Sequence, residues 1–201
     1  YGQYHRIKSP TGKIELYSNV LLELGYDPLP FFIEPAESPV STPELAKEYP
    51  LVLTTGARSP GYMHSEGRQI PWIRELWMTP MVELNPVTAV KYGIKDEDWV
   101  WIETPRGKIR QKAKLTEGIP PGVVNADHQW WFPEKPTPDH GVFDSNVNVI
   151  TDADHCDPII GSTTLRGLLC KVYKADGPPE GIITSMEDLQ RVLPRWLPKY
   201  E

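Results

Sequence analysis

Met81-Val82-Glu83-Leu84-Asn85-Pro86-Val87-Thr88-Ala89-Val90-Lys91-Tyr92-Gly93 reads as a strand passing directly into a helix. Asn85 can cap the helix start, and Pro86 loses nothing at the first helical position by lacking an N–H. Gly93 suits the C-terminal end, so the spacing predicts a strand at 81–84 and a helix over 87–92. Further on, Trp99 to Thr104 and Lys108 to Thr116 flank Pro105-Arg106-Gly107. In the second arm Ile109, Ala113 and Leu115 alternate with Arg110, Lys112 and Lys114, the pattern of a half-exposed hairpin with strands at 99–104 and 108–116.

Working outward, Leu51-Val52-Leu53-Thr54-Thr55 follows Pro50 and runs into Gly56, a short buried strand at 51–55. Gly122 to Asn125, Asn146 to Ile150 and Leu168 to Val172 predict strands at 122–126, 146–150 and 168–173, and a Pro-rich excursion over 133–140 separates the first two. Ile70 to Trp77 reads as a short helical turn with Ile73, Leu76 and Trp77 on one face. Short strands between Gly and Pro turns, with a short helix among them, describe a mainly β barrel or sandwich over 48–175. Residues 1–47 read as a lead-in strap. It holds a possible strand at Lys13–Tyr17, a short helix at Leu21–Leu24 stopped by Gly25, and prolines at 28, 30, 35, 39 and 43 that bar regular structure. The tail, 176–201, has Thr184 and Glu187 at capping-box spacing and an apolar stripe of Met186, Leu189, Val192 and Leu193 that Pro194 should break.

The chain has 201 residues with a formal net charge of -6 and 39% hydrophobic residues. Nonspecific binding to nucleic acid leans on surplus Lys and Arg, which this charge excludes, and no run approaches the ~18 apolar residues of a membrane span. Twenty-two prolines are about twice the usual share of ~5%, yet the hydrophobic content is too high for a disordered chain. Cys156 and Cys170 are the only cysteines, which excludes a disulfide framework and an all-thiolate zinc site. A chain that opens on Tyr1 with no signal-like stretch reads as a piece of something longer.

Three segments carry groups suited to binding chemistry. Thr55-Gly56-Ala57-Arg58 to Arg68 leaves a strand with three glycines, Arg58, Arg68 and His64, a composition that suits phosphate but matches neither a Walker loop nor a dinucleotide-binding GxGxxG. Asp127-His128-Gln129-Trp130-Trp131-Phe132 sets aromatics beside polar groups, fit for a flat heterocycle or for a core. In Asn146 to Asp152, Asn146, Asn148 and Asp152 share a side if the strand is regular, and amides can read the edge of a purine or pterin. Asp157 to Thr164, with Gly161, supplies a hydroxyl-rich turn. His128, His140, His155 and Cys156 match no zinc spacing.

Taken in order, these segments resemble the C-terminal, molybdopterin-dinucleotide-binding domain of the dimethyl-sulfoxide reductase family of molybdenum and tungsten oxidoreductases. Ser9 to Tyr17 is similar to the family's "(T)xSGKIEL" segment, and Tyr49 to Arg58 to its opening strand and loop. Glu83 to Ala89 with Tyr92 to Val100 is close to "hxhNPxxAxxxGIxdGDxV", with Glu97 in place of the usual Gly. Gly118 to Val124, Gln129-Trp130-Trp131, Asn146 to Thr151 and Asp157 to Gly161 continue the match, and the paired tryptophans are similar to those of formate-dehydrogenase-like members.

The resemblance implies a double-psi β-barrel that binds molybdopterin guanine dinucleotide, with Thr55, Gly56, Arg58, His64, Asn85, Gln129, Trp130, Asn146, Asn148 and Gly161 on the cofactor. It implies that Mo or W and any iron–sulfur cluster sit with other domains of a parent enzyme, that those domains and electron-transfer subunits are its partners, and that this piece alone does not catalyse. The alternative from another class is a free-standing double-psi barrel acting as a protein-interaction or adaptor module, with Arg58 and Arg68 as a peptide or anion contact.

Overall fold

A computed structural model describes residues 8–57 and 59–196, with side chains as far as Val192. Two compact units divide between Glu34 and Pro35. In the first, helix α1 (Asn19–Glu23) is capped by Ser18 Oγ, which accepts from Leu21 N at 3.2 Å. Lys13–Tyr17 is not a strand. Gly12 takes φ 70° in a turn closed onto Ser9, and Glu15 accepts from Thr11 N and Oγ1, so local bonds take the place of a ladder.

The second unit opens with α2 (Pro43–Glu48), where Pro43 begins a helix instead of barring one, as a first-turn proline can. The strands then follow as β1 (Leu51–Ala57), β2 (Met81–Leu84), β3 (Trp99–Thr104), β4 (Gly107–Leu115), β5 (Val123–Asp127) and β6 (Arg166–Lys174). Between them come α3 (Pro71–Leu76), α4 (Pro86–Lys91) and α5 (Val142–Ser145), and α6 (Met186–Trp196) ends the described chain. The strands close in the order β1-β5-β2-β4-β3-β6. Pairs β1/β5 and β2/β4 are parallel and the other four antiparallel, the double-psi β-barrel.

Alternation explains the closure. Leu51 and Leu53, Val82 and Leu84, Val100 and Ile102, Ile109 and Ala113, Val124 and Ala126, and Leu168, Cys170 and Val172 all point inward into one core. Ala89 and Ile94, in and after α4, seal the end where β2 finishes, and Val147 and Ile150 seal the other. Asn85 caps α4 through Val87 N, as expected.

The strand expected at 146–150 is a 3-10 turn, Val147–Val149. Asn146 Oδ1 accepts from Asn148 N at 3.0 Å and Val149 N donates back to Asn146, so the backbone is satisfied locally. The Asn-Val-Asn-Val-Ile alternation also places Val147 and Ile150 three apart, and that helical reading prevails. α6 begins one residue later than the capping box implied, with Ser185 accepting from Asp188 N, and its backbone continues past Pro194 to Trp196. Leu189 is fully buried, while the Leu193 side chain lies outside the described residues.

Three strand residues in the inward phase, Thr55, Thr104 and Gln111, are polar, and Gln111 is the most deeply buried of them. Gln111 is fully buried on β4, where the strand phase calls for an apolar residue. Its Nε2 donates to Asp127 O and Ser145 O, both at 3.1 Å, and its Oε1 accepts from Asp127 N at 2.9 Å. Removing these bonds leaves buried backbone groups without partners. A Gln111→Leu variant is therefore expected to lose about 2–4 kcal/mol in urea unfolding, with an unchanged m value.

Candidate functional site

Parallel neighbours β1 and β5 end side by side, with Ala57 paired to Asp127 and His128 N donating to Ala57 O at 3.0 Å. From these ends leave two excursions, 58–80 and 128–141, and beside them α5 and the 3-10 turn cross the barrel mouth. This is the end where the sequence placed most of its candidates.

Two buried guanidiniums, Arg68 and Arg74, join the two excursions, Arg74 through Glu134 at 3.0 Å. Arg68, 1% exposed, donates to His64 O, to Glu66 O at 3.1 Å and to His128 O at 2.9 Å. It lies 4.6 Å from the Tyr62 ring and 4.9 Å from Trp130, which offsets part of its lost hydration. Burial pushes its pKa down. Arg68 is therefore an internal strut, which withdraws it from the anion or peptide contact that its place in the loop suggested. It holds His64 and Gln129 in the left-handed region, φ 50° and 48°, with the His64 and His128 rings edge to edge at 5.5 Å.

Trp130 is fully buried rather than at the margin of a binding face. It forms a second core with Tyr62 and Phe132, against which Ile73 and Trp77 pack, while Leu76, expected on that face, is exposed. A Cβ on Gly61 would lie 2.5 Å from the Trp77 ring, so glycine permits this close approach. Trp131 donates to Ser65 O and packs its ring edge against His140.

Of the other sequence candidates, Thr55 is spent on the fold, its hydroxyl donating to Leu165 O at 2.9 Å. Gly56 is exposed at the strand end. Asn146 is buried at the barrel mouth with its carboxamide oxygen used as a cap, whereas Asn148 is exposed, so the two do not form a row. Gly161, φ 68°, is exposed in a turn held by Asp157. Asn85 lies at the opposite end, bonded to Val87 N and Ile119 O. Arg58 lies outside the described residues.

One group here, Arg166, escaped the sequence reading. Arg166, at the start of β6, lies over Gly56: a Cβ there would sit 3.8 Å from Arg166 Nη2. Arg166 is exposed, and among the described residues no carboxylate is recorded as its partner. Asp152, which the sequence set beside Asn146 and Asn148, is 1% exposed and takes Arg106 Nη2 at 2.8 Å and His155 Nδ1 at 2.5 Å; Arg106 also grips Glu37 at 2.6 Å. Burial would raise the Asp152 pKa, but its bonds to His155 and Asp154 N and the Arg106 charge hold it below the usual range. Arg166 sits in no local motif.

Against the strand ends opens a cleft of about 310 Å³ whose wall includes Ala57, Ser59, Trp77, Met81 and Asp127. Burial pushes the Asp127 carboxyl up to about 6, against the pull of the His128 N–H and the Arg68 charge. Unfolding returns it to about 4, so between about pH 4 and 6 the folded chain binds more protons than the unfolded one. The Asp127 contribution to stability is therefore largest below that window and is lost as pH rises through it. An Asp127→Asn variant should gain on the wild-type chain by up to about 3 kcal/mol between pH 4 and 7 in urea titrations, and a constant difference would refute the assignment.

Residues 51–169 match the family model described as "Molydopterin dinucleotide binding domain". Dopamine dehydroxylase of Eggerthella lenta is 43% identical over 96% of this chain, and acetylene hydratase of Syntrophotalea acetylenica 38% identical over 84%. The chain spans 20% and 24% of those two proteins. The solved structure of acetylene hydratase from Pelobacter acetylenicus superposes with a TM-score of 0.76 at 37% identity, covering 83% of this chain and 24% of that one.

Proposed function

This chain belongs to the molybdopterin dinucleotide-binding domain family, and from that premise we propose that the β1/β5 end of the barrel holds the diphosphate of a molybdopterin guanine dinucleotide. The observation that carries the reading is the Gly56–Arg166 cradle: an exposed guanidinium over a strand end without side chain, where backbone and two-pronged donors can approach one anion. The residues present fit the group, since a phosphate there meets Arg166 and the open space at Gly56. Arg58, two residues after Gly56 in sequence, is the candidate second cation for it. His64, Gln129 and the Asn146 amide nitrogen offer donors at the rim for the heterocycles.

When bound, the cofactor supplies the ligands of a molybdenum or tungsten centre and with them redox chemistry. The part played by this chain is to bind and orient. Arg68 fixes both loops before the ligand arrives, so little ordering cost falls on binding. The metal's protein ligand and any iron–sulfur cluster belong, in this reading, to the rest of a longer oxidoreductase, in keeping with relatives of which the matched region is 20% and 24%.

The partner surface follows from the first unit. Ile14, Leu16, Phe32 and Ile33 are 71–83% exposed there, more apolar surface than a segment left in water carries. We assign it to other domains of the same polypeptide.

Arg166→Ala and Gly56→Val, made in the full-length enzyme, should each lower bound dinucleotide at least tenfold, read as released GMP and oxidised pterin fluorescence. Both residues are exposed, so the melting temperature of the chain should hold. Unchanged cofactor content in both variants would overturn the cradle.

A further inference from the structure

The cleft beside the strand ends is not needed to hold a diphosphate, yet it contains a deeply buried acid. Asp127 is 3% exposed in a wall shared with Ala57, which directly follows Gly56. Its carboxylate receives His128 N at 2.8 Å, Met81 N and, at the long distance of 3.4 Å, Ser59 Oγ. A carboxylate can take about four hydrogen bonds, so one acceptor site is open and a second is weakly filled.

The other charges in the cleft are matched. Lys112 pairs with Glu97 and Lys114 with Glu83, each at 3.1 Å. Arg68, the nearest guanidinium, spends its Nη donors on backbone carbonyls. A ligand that supplied two adjacent N–H groups would complete the carboxylate, and a phosphate would be repelled by it. Trp77, Met78 and Met81 add apolar and aromatic lining suited to a flat ring.

We infer that Asp127 reads the N–H and NH2 edge of a 2-amino-4-oxopyrimidine ring, the ring that guanine and pterin have in common. This rests on the dinucleotide reading above, and it names the residue that sets specificity for the heterocycle as distinct from the residues that hold its phosphates. The chemistry explains what would be rejected. Adenine presents a ring acceptor to the carboxylate where guanine presents a donor, and hypoxanthine lacks the amino group. Each missing charge-assisted bond costs about tenfold or more in affinity.

The test is NMR titration of the 201-residue chain with GMP, IMP, AMP and 6-hydroxymethylpterin. GMP, the pterin or both should shift the amides of Ala57, Ser59 and the Trp77 indole, with IMP at least tenfold weaker and AMP weaker still. Binding of only one of the first two assigns the cleft to that end of the cofactor. Asp127→Asn should erase the preference of GMP over IMP, while Arg166→Ala should leave that ratio intact and weaken only phosphate-bearing ligands. A wild-type chain that binds neither GMP nor the pterin, one that binds GMP without separating it from IMP, or an Asp127→Asn variant that keeps the wild-type binding of either, overturns the inference. Each of these results leaves the cradle standing, because the cradle fails by a different measurement, dinucleotide content indifferent to Arg166 and Gly56.

Discussion

The barrel end depends on one carboxamide. Gln111 reaches from β4 across the interior to the last residue of β5 and to the last residue of α5, so the strand that ends at the site and the plug over the mouth share one anchor. Within an apolar core its bonds are electrostatically strong and leave few alternatives, because any shift of β5 along its neighbours strands three buried polar groups. An all-aliphatic interior would pack as densely and specify the register less. The polar residue defines where β5 stops, and hence where the loop that carries His128 and Gln129 begins.

Outside the barrel, a second small core repeats this logic with charge. Arg68 and Arg74 are both buried beside Trp130, and Arg74 meets Glu134 at 3.0 Å. Glu134 Oε1 also accepts Ile183 N, which draws the segment before α6 onto the excursion from β5. Buried ions stabilise little against an apolar replacement, but they penalise wrong arrangements heavily. Two long loops without regular structure thereby take up fixed positions.

Where the signal was local, the sequence was legible. The β2–α4 junction announces itself through Asn85-Pro86 and Gly93, and the β3–β4 hairpin through its alternation, because each is decided by neighbours a few residues apart. The stretch 146–150 misled because a short run fits periods of two and three equally well, and only burial under the barrel mouth decides. At the proposed site, Gly56, His64 and Gln129 are readings made from their company in sequence. Arg166 is not, since it reaches Gly56 only through the pairing of β6 with β1. The adaptor alternative offered Arg68 as a peptide or anion contact because sequence shows a charge in a glycine loop but not which way it faces. Gln111 did leave a trace, a polar residue in apolar phase, visible once the inward face is known.

The pairing of β1 with β6 has a kinetic side. Leu51 faces Cys170, so the ladder that closes the barrel joins the first strand to the last. Contacts this distant in sequence form late and slowly, since loop closure comes before any reward. Until β6 docks, β1 and β3 are open edges able to pair with another chain, and Arg166 is absent from its place over Gly56. On the proposed reading, a chain without β6 has no Gly56–Arg166 cradle, so the final strand would separate folding from ligand capture in time.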